Sequence, residues 1–227
     1  MTIGIIVAME KELAQLLSLL SDLKEEVING KKFYSGTLAD GKRLVVQQCG
    51  IGKVNAAVGA VELINRFSPA CVVSSGVAGG ATTSIPRLHV VASSEVVYHD
   101  VYCFTDNAYG QIQGLPPRFS SDPRLVSIAS GIENVTTGLI ASGDWFVDTK
   151  KKAGEIIDHF PETLAFDMES GAIAQVCHIY SVPFISFRII SDIPLASDKG
   201  EQYIDFWERM AEGSFQVLHN FLNRLTL

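Results

Sequence analysis

Apolar positions along this chain switch between two periods, and the switches mark its elements. Thr2 to Ala8 is apolar and rich in isoleucine, as a buried strand is, and Leu13, Leu16, Leu17 and Leu20 then recur at helical spacing. Lys32 to Leu38 and Arg43 to Cys49 read as a hairpin turning at Asp40-Gly41. Val54, Ala57, Val58 and Val61 continue as a helix that ends at Ser68-Pro69, because a proline pushes the residue before it out of the helical region. Ala70 to Ser74 is another buried strand, running into Ser75-Gly76-Val77-Ala78-Gly79-Gly80, which reads as a tight turn or as a floor for a flat ligand. Leu88 to Val97 gives one or two further strands, and Thr137 to Ser142 one more. Tyr203 opens a long amphipathic helix with Trp207, Met210, Ala211, Leu218, Phe221, Leu222 and Leu225 on its buried side. Strand and helix alternate throughout, which predicts an α/β, three-layer domain. No linker or repeat divides residues 1–227, and one α/β domain commonly reaches this length.

The densest chemistry lies between Leu164 and Ile193. The apolar run Leu164 to Phe166 delivers Asp167, Met168 and Glu169, and Ser170 is placed to cap a helix with Ala172, Ile173, Val176, Cys177 and Tyr180 on one face. Pro183 ends the connection. Phe184 to Ile190 is apolar except for Ser186 and Arg188, the pattern of a buried strand, and it closes on Ser191-Asp192. Ligands in open α/β sheets sit beyond the carboxyl ends of strands, so Glu169 and Asp192 are expected to face one ligand. Arg188 needs a partner inside an apolar strand, and these carboxylates are nearest in sequence. Two readings stand side by side here: a functional cluster, or a structural Glu169–Arg188 ion pair with Asp192 capping the next turn. Glu10 and Glu12 fall in a first helical turn, where the macrodipole alone accounts for them; alternatively Glu12 points into the site.

Other segments narrow the choice. Gly50-Ile51-Gly52-Lys53 is not a phosphate loop, since Val54 stands where Ser or Thr is needed for magnesium and Asn55 where the dinucleotide fingerprint needs glycine. It reads as a strand-to-helix turn that lets backbone approach a ligand. Trp145 and Phe146, after a strand, either stack on a planar base or belong to the core. The long aromatic loop from Tyr102 to Phe119 is expected to be functional or at an interface. Tyr98-His99-Asp100 gives little basis for a metal. The formal charge is -7, and no basic cluster exceeds Lys150-Lys151-Lys152, which argues against nucleic acid. No apolar run approaches membrane-spanning length, and the N-terminus reads as a strand rather than a signal peptide. The four cysteines are widely spaced without a C-x-x-C pair, so neither a disulfide framework nor a zinc site is expected. The default compartment is the cytoplasm.

With the pieces in order, the chain resembles the bacterial 5′-methylthioadenosine/S-adenosylhomocysteine nucleosidases. The resemblance rests on GIIVAMEKE, QCGIGKVNAA, SGVAGG, YHDV, YGQ, SGDWF, AFDMES followed by AIAQVCH, and FRIISD, in the family's order and spacing over nearly the whole chain. It implies a nucleoside phosphorylase-like fold, in which a mixed central sheet curls into a distorted barrel surrounded by helices. It implies a cytoplasmic homodimer without cofactor or metal that hydrolyses the N-glycosidic bond of a small nucleoside, releasing adenine and a 5-thio-ribose.

The same resemblance assigns roles. Asp192 protonates N7 of the leaving adenine with support from Ser191, Glu12 activates water, Glu169 binds the ribose hydroxyls, and Arg188 orients the carboxylates or the water. Met168 packs under the ribose, Phe146 stacks on adenine, and the backbone of Val147 reads its edge. Val77, Ala78 and Gly79 line the ribose and base. Met9, Ile51 and Tyr203 surround the thio substituent, with Phe104 of a second subunit closing that pocket. The chain departs from the family where Asp167 replaces the commoner Glu, Val77 replaces a frequent Ser, Tyr203 replaces Phe, and the segment after His99-Asp100 is a residue shorter. The chemistry agrees with the residues: an oxocarbenium-like transition state needs an acid on the leaving group and a base on water. An aspartic acid protonated near neutral pH needs its pKa lifted by about three, equivalent to roughly 4 kcal/mol. The alternatives are a phosphorolytic transferase of the same superfold, a futalosine-type nucleosidase, a purine-binding module without turnover, and a purely structural α/β subunit.

Overall fold

The isoleucine-rich run becomes β1 (Thr2–Val7), which sits between two parallel neighbours, β4 (Arg43–Gln48) and β5 (Cys71–Gly80). The computed structural model describes residues 1–104, 106–195, 206 and 214–226, without the side chains of 214 and 215. Beyond β4 the sheet continues through β3 (Lys31–Thr37) to an edge strand, β2 (Ser21–Ile28). Beyond β5 it closes on itself. β5 pairs with β10 (Phe184–Asp192), β10 with β6 (Val90–Tyr98), β6 with β8 (Val135–Ser142), β8 with β9 (Thr163–Asp167), and β9 returns to β5. This is the mixed sheet curling into a barrel that the resemblance implied. A two-residue strand, β7 (Phe119–Ser120), adds to β6.

Alternation along β1 explains the layers. Ile3, Ile5 and Val7 point into one core with α1 (Glu10–Leu17), α3 (Pro123–Ser130) and α6 (Ser214–Arg224). Ile6 points the other way, into a core with α2 (Lys53–Phe67) and α5 (Ser170–Tyr180). A third core lies under α4 (Lys150–His159), where Ala153 and Ile156 meet Val97, Leu139 and Phe166. Both α2 and α5 stop at a serine in the left-handed region, Ser68 (φ 45°) and Ser181 (φ 55°), just ahead of prolines that cannot extend a helix.

Several expectations change. The stretch Ser75 to Gly80 is not a turn, because it continues β5 alongside β10, with Gly76 beside Arg188. Ser170 does not cap α5, since it is the first helical residue and Asp167 accepts its N–H at 3.0 Å instead. β2 carries no apolar alternation, because it is an exposed edge strand held by its backbone pairing to β3. Leu218, Phe221, Leu222 and Leu225 are buried as expected, whereas Tyr203, Trp207, Met210 and Ala211 lie outside the described residues. Among the described residues, no helix is long and apolar enough to cross a membrane.

Candidate active site

The carboxyl ends of β1, β9 and β10 meet beside the glycine-rich half of β5, and a pocket opens there. It is lined by Met9, Glu12, Ile51, Val77, Ala78, Gly79, Phe146, Val147, Met168, Glu169, Ser191 and Asp192. All twelve were expected from the sequence. Ala8, Phe166 and Asp167 line it too and were not assigned to it, and Trp145, read as stacking on a base or as core, also lines it. Phe146 is 56% exposed, so it belongs to the pocket wall and not to the core. Phe104 stands apart, 73% exposed with φ 64° and outside this pocket. Tyr203 lies outside the described residues.

Glu12 holds both roles that the sequence left open. It is buried at the third position of α1, where Oε2 accepts the N–H groups of Ala8 (3.0 Å) and Met9 (2.9 Å) and Oε1 accepts that of Val77 (3.1 Å). The carboxylate therefore ties α1 to β5 while facing the pocket. Burial raises its pKa, and the N–H bonds and the Arg188 charge only partly oppose this.

Arg188 is buried behind the pocket, and its principal partner is Asp167, not Glu169. Its Nε donates to Asp167 Oδ2 at 2.5 Å and its Nη2 to Ser74 Oγ at 2.7 Å, whereas Glu169 Oε2 is 3.9 Å away. Separation along the chain misled the expectation: Asp167, the last residue of β9, bonds Arg188 directly, whereas Glu169, two residues past the strand end, is held by the Gly52 N–H. Ser170 Oγ donates to the same Asp167 oxygen at 2.5 Å. Burial works against ionising Asp167, but Arg188 and the serine hydroxyls prevail and lower its pKa. Burial likewise opposes the Arg188 charge, and Asp167, Glu169 and Glu12 outweigh it. Gly76 makes the cluster possible: a Cβ there would sit 2.8 Å from Arg188 Nη1 and 2.9 Å from Glu12 Oε1.

Glu169 is a second carboxyl whose pKa is raised. Burial and the Asp167 charge push its pKa to about 7, against the pull of Arg188 and of the Gly52 N–H, which donates to its Oε1 at 3.0 Å. Across the pocket, Ser191 Oγ donates to Asp192 Oδ1 at 2.6 Å and also lies 3.2 Å from the carbonyl oxygen of Ala78. A hydroxyl has one proton, and the shorter of these two contacts is the one to Asp192 Oδ1. Oδ1 can accept that proton whether the other carboxyl oxygen, Oδ2, is bare or protonated, so the Ser191 bond persists in both forms of Asp192. Among the described residues, the pocket lining holds four carboxyl groups and no Lys, Arg or His.

Residues 2–223 match the family model of the phosphorylase superfamily. The chain is 40% identical over 231 residues to a 5′-methylthioadenosine/S-adenosylhomocysteine nucleosidase of Geobacillus kaustophilus, covering 98% of this chain and 97% of that one. It superposes with a TM-score of 0.93 on the S-adenosylhomocysteine nucleosidase of Streptococcus pyogenes in complex with 5-methylthiotubericidin, at 36% identity over 100% of this chain and 98% of that one. The nucleosidase of Colwellia psychrerythraea in complex with adenine gives 0.93 at 38% identity, over 99% and 96%. The chain therefore belongs to the 5′-methylthioadenosine/S-adenosylhomocysteine nucleosidase family, within the phosphorylase superfamily.

Proposed function

We propose that this protein hydrolyses the N-glycosidic bond of 5′-methylthioadenosine and S-adenosylhomocysteine, releasing adenine and a 5-thio-ribose. Adenine stacks on Phe146, and Asp192 delivers a proton to its N7 as the bond to the sugar breaks. The serine beside Asp192 serves its charged and neutral forms alike, so no hydrogen bond is lost on proton transfer. Glu12 takes a proton from the attacking water, and its raised pKa makes it a better base. Glu169 binds the ribose hydroxyls, Met168 packs beneath the sugar, and Met9 and Ile51 surround the thio substituent. Arg188 holds the carboxylates in place from behind. The excess of carboxylates complements the positive charge that develops on the ribose.

The observation that carries hydrolysis over phosphorolysis is the charge of the lining. A phosphorylase must hold a multiply charged anion, for which a free Arg fork is the usual clamp. Here Arg188 is committed to Asp167 and Ser74. Each carboxylate near a phosphate would cost roughly 1 kcal/mol per charge pair at about 4 Å in water, and about 4 at an effective dielectric near 20. Water is neutral and escapes this penalty. Adenine release from methylthioadenosine should proceed at the same rate with and without phosphate and yield the free sugar. Phosphate-dependent release with a ribose 1-phosphate product would overturn the reading.

The protein works as a twofold homodimer in the cytoplasm. Val54 (75% exposed), Ile179 (58%), Tyr102 (65%) and Phe104 expose apolar surface beside a groove between α2, α5 and the segment after β6. A second copy seated there would bring its Phe104 toward the thio end of the pocket. Sedimentation should find a dimer; a fully active monomer would refute this. Four free cysteines, three of them buried, suit a reducing compartment.

A further inference from the structure

Three charged residues outside the pocket tie two of its walls together. Asp100 follows β6, and only 8% of its side chain is exposed. Its Oδ2 accepts the backbone N–H of Asp144 at 2.8 Å and the ammonium of Lys53 at 2.7 Å. Its Oδ1 is buried without a hydrogen-bond partner among the described residues, so its whole grip runs through one oxygen. Asp144 in turn accepts the backbone N–H of Lys53 at 2.8 Å, which caps α2, whose own N-cap glycine has no side chain to offer. The fit is close: a Cβ at Gly143 would lie 2.6 Å from both Asp100 Cγ and His99 Cε1. None of the three charged residues lines the pocket.

The two segments they join both serve it. Residues 143–147 present Phe146 and Val147, and residues 50–53 present Ile51 and the Gly52 N–H bound to Glu169. We propose that Asp100 is a positioning residue for the reaction, setting the base-stacking aromatic and the ribose-binding carboxylate as one unit through Asp144 and Lys53. This rests on the assignment of Phe146 to adenine and Glu169 to ribose. Charge-assisted bonds in a partly desolvated network are stronger than neutral ones, so one buried carboxylate suffices to hold both segments.

The test compares Asp100→Ala, Asp100→Asn, Lys53→Met and Phe146→Ala by adenine affinity, by KM and kcat for methylthioadenosine, and by thermal midpoint. Asp100→Ala should weaken adenine roughly tenfold and raise KM at least as much, the scale of one or two lost hydrogen bonds. Asp100→Asn keeps an acceptor for the Asp144 N–H and should restore adenine binding to within about threefold. Lys53→Met, at a partly exposed position, covers the case in which Asp100→Ala does not fold. It removes the ammonium bond to Asp100 and keeps the backbone bond to Asp144, so KM should rise, by less than in Asp100→Ala, while adenine affinity stays within about threefold. In a Phe146→Ala background, Asp100→Ala should weaken adenine by less than about threefold more, because residues acting through one another are not additive. Unchanged adenine affinity and KM in folded Asp100→Ala, fully multiplicative losses with Phe146→Ala, or an unchanged KM in Lys53→Met would each overturn the inference. If Phe146→Ala weakens adenine and Asp100→Ala does not, only the inference fails. If Phe146→Ala leaves adenine binding intact, the site assignment fails with it.

Discussion

Replacing Glu169 with Gln should make the ligand-free protein more stable at alkaline pH while abolishing efficient turnover. The amide is nearly isosteric and can still accept the Gly52 N–H bond of 3.0 Å. What it removes is a buried charge beside Asp167. Burial and that neighbour lift the Glu169 pKa from its ordinary 4.5 to about 7. Because the folded-state value lies above the unfolded one, the protonated group's contribution to stability is fully present below pH 4.5 and is lost as pH rises through 7. Between pH 5 and pH 8 the loss is roughly 2–3 kcal/mol. The amide has no such loss, so the stability of the variant relative to wild type should rise by that amount over the interval. Urea unfolding without ligand at pH 5 and pH 8 reads it directly. A difference between the two proteins that is the same at both pH values would refute the reasoning, since Glu169 would then carry no buried-charge penalty. Active sites commonly store instability of this kind for function.

Glu12→Gln should lose hydrolysis, but also about 1–3 kcal/mol of stability, because the amide nitrogen cannot accept and leaves one set of N–H groups, Ala8 and Met9 or Val77, without a partner; unfolding midpoints equal to wild type would contradict the geometry. Arg188→Met should cost about 3–5 kcal/mol in urea unfolding, since it strands the buried Asp167 carboxylate, and a change below about 1 kcal/mol would remove Asp167 as the principal partner. Ser191→Ala should lower kcat more than it raises KM, because it removes the donor that stabilises the Asp192 carboxylate left after proton transfer; an effect on KM alone would count against this.

Hydrophobic periodicity carried most of the fold. The strand ending at Val7, the helix carrying Glu12 and the β9–α5–β10 unit follow from apolar spacing, and they bring Glu12, Glu169 and Asp192 to one pocket. What periodicity missed has physical causes. Glycine weakens strand propensity, so Ser75 to Gly80 read as a tight turn or a ligand floor and not as strand; only the tertiary approach of Arg188 and Glu12 reveals why Gly76 must lack a side chain. The polar β2 buries no face and so leaves no pattern. The choice of Asp167 over Glu169 by Arg188 depends on where β9 ends, which residue types do not encode. Asp100 showed in the sequence only as part of a weak His-Asp pair and of the YHDV motif, because its work is to join two backbone segments that lie far apart in sequence.

The claim that Asp192 is the acid on the leaving base is tested most directly by comparing two substrates in the Asp192→Asn variant. One is methylthioadenosine, whose adenine must be protonated as it departs. The other is a 5-thio-riboside of 4-nitrophenol, whose phenolate leaves without an acid. Turnover of the nucleoside should fall about 10²-fold or more, the scale of general acid catalysis, while that of the aryl riboside stays within about tenfold of wild type. Near-normal turnover of the nucleoside, or an equal loss on both substrates, would contradict the account.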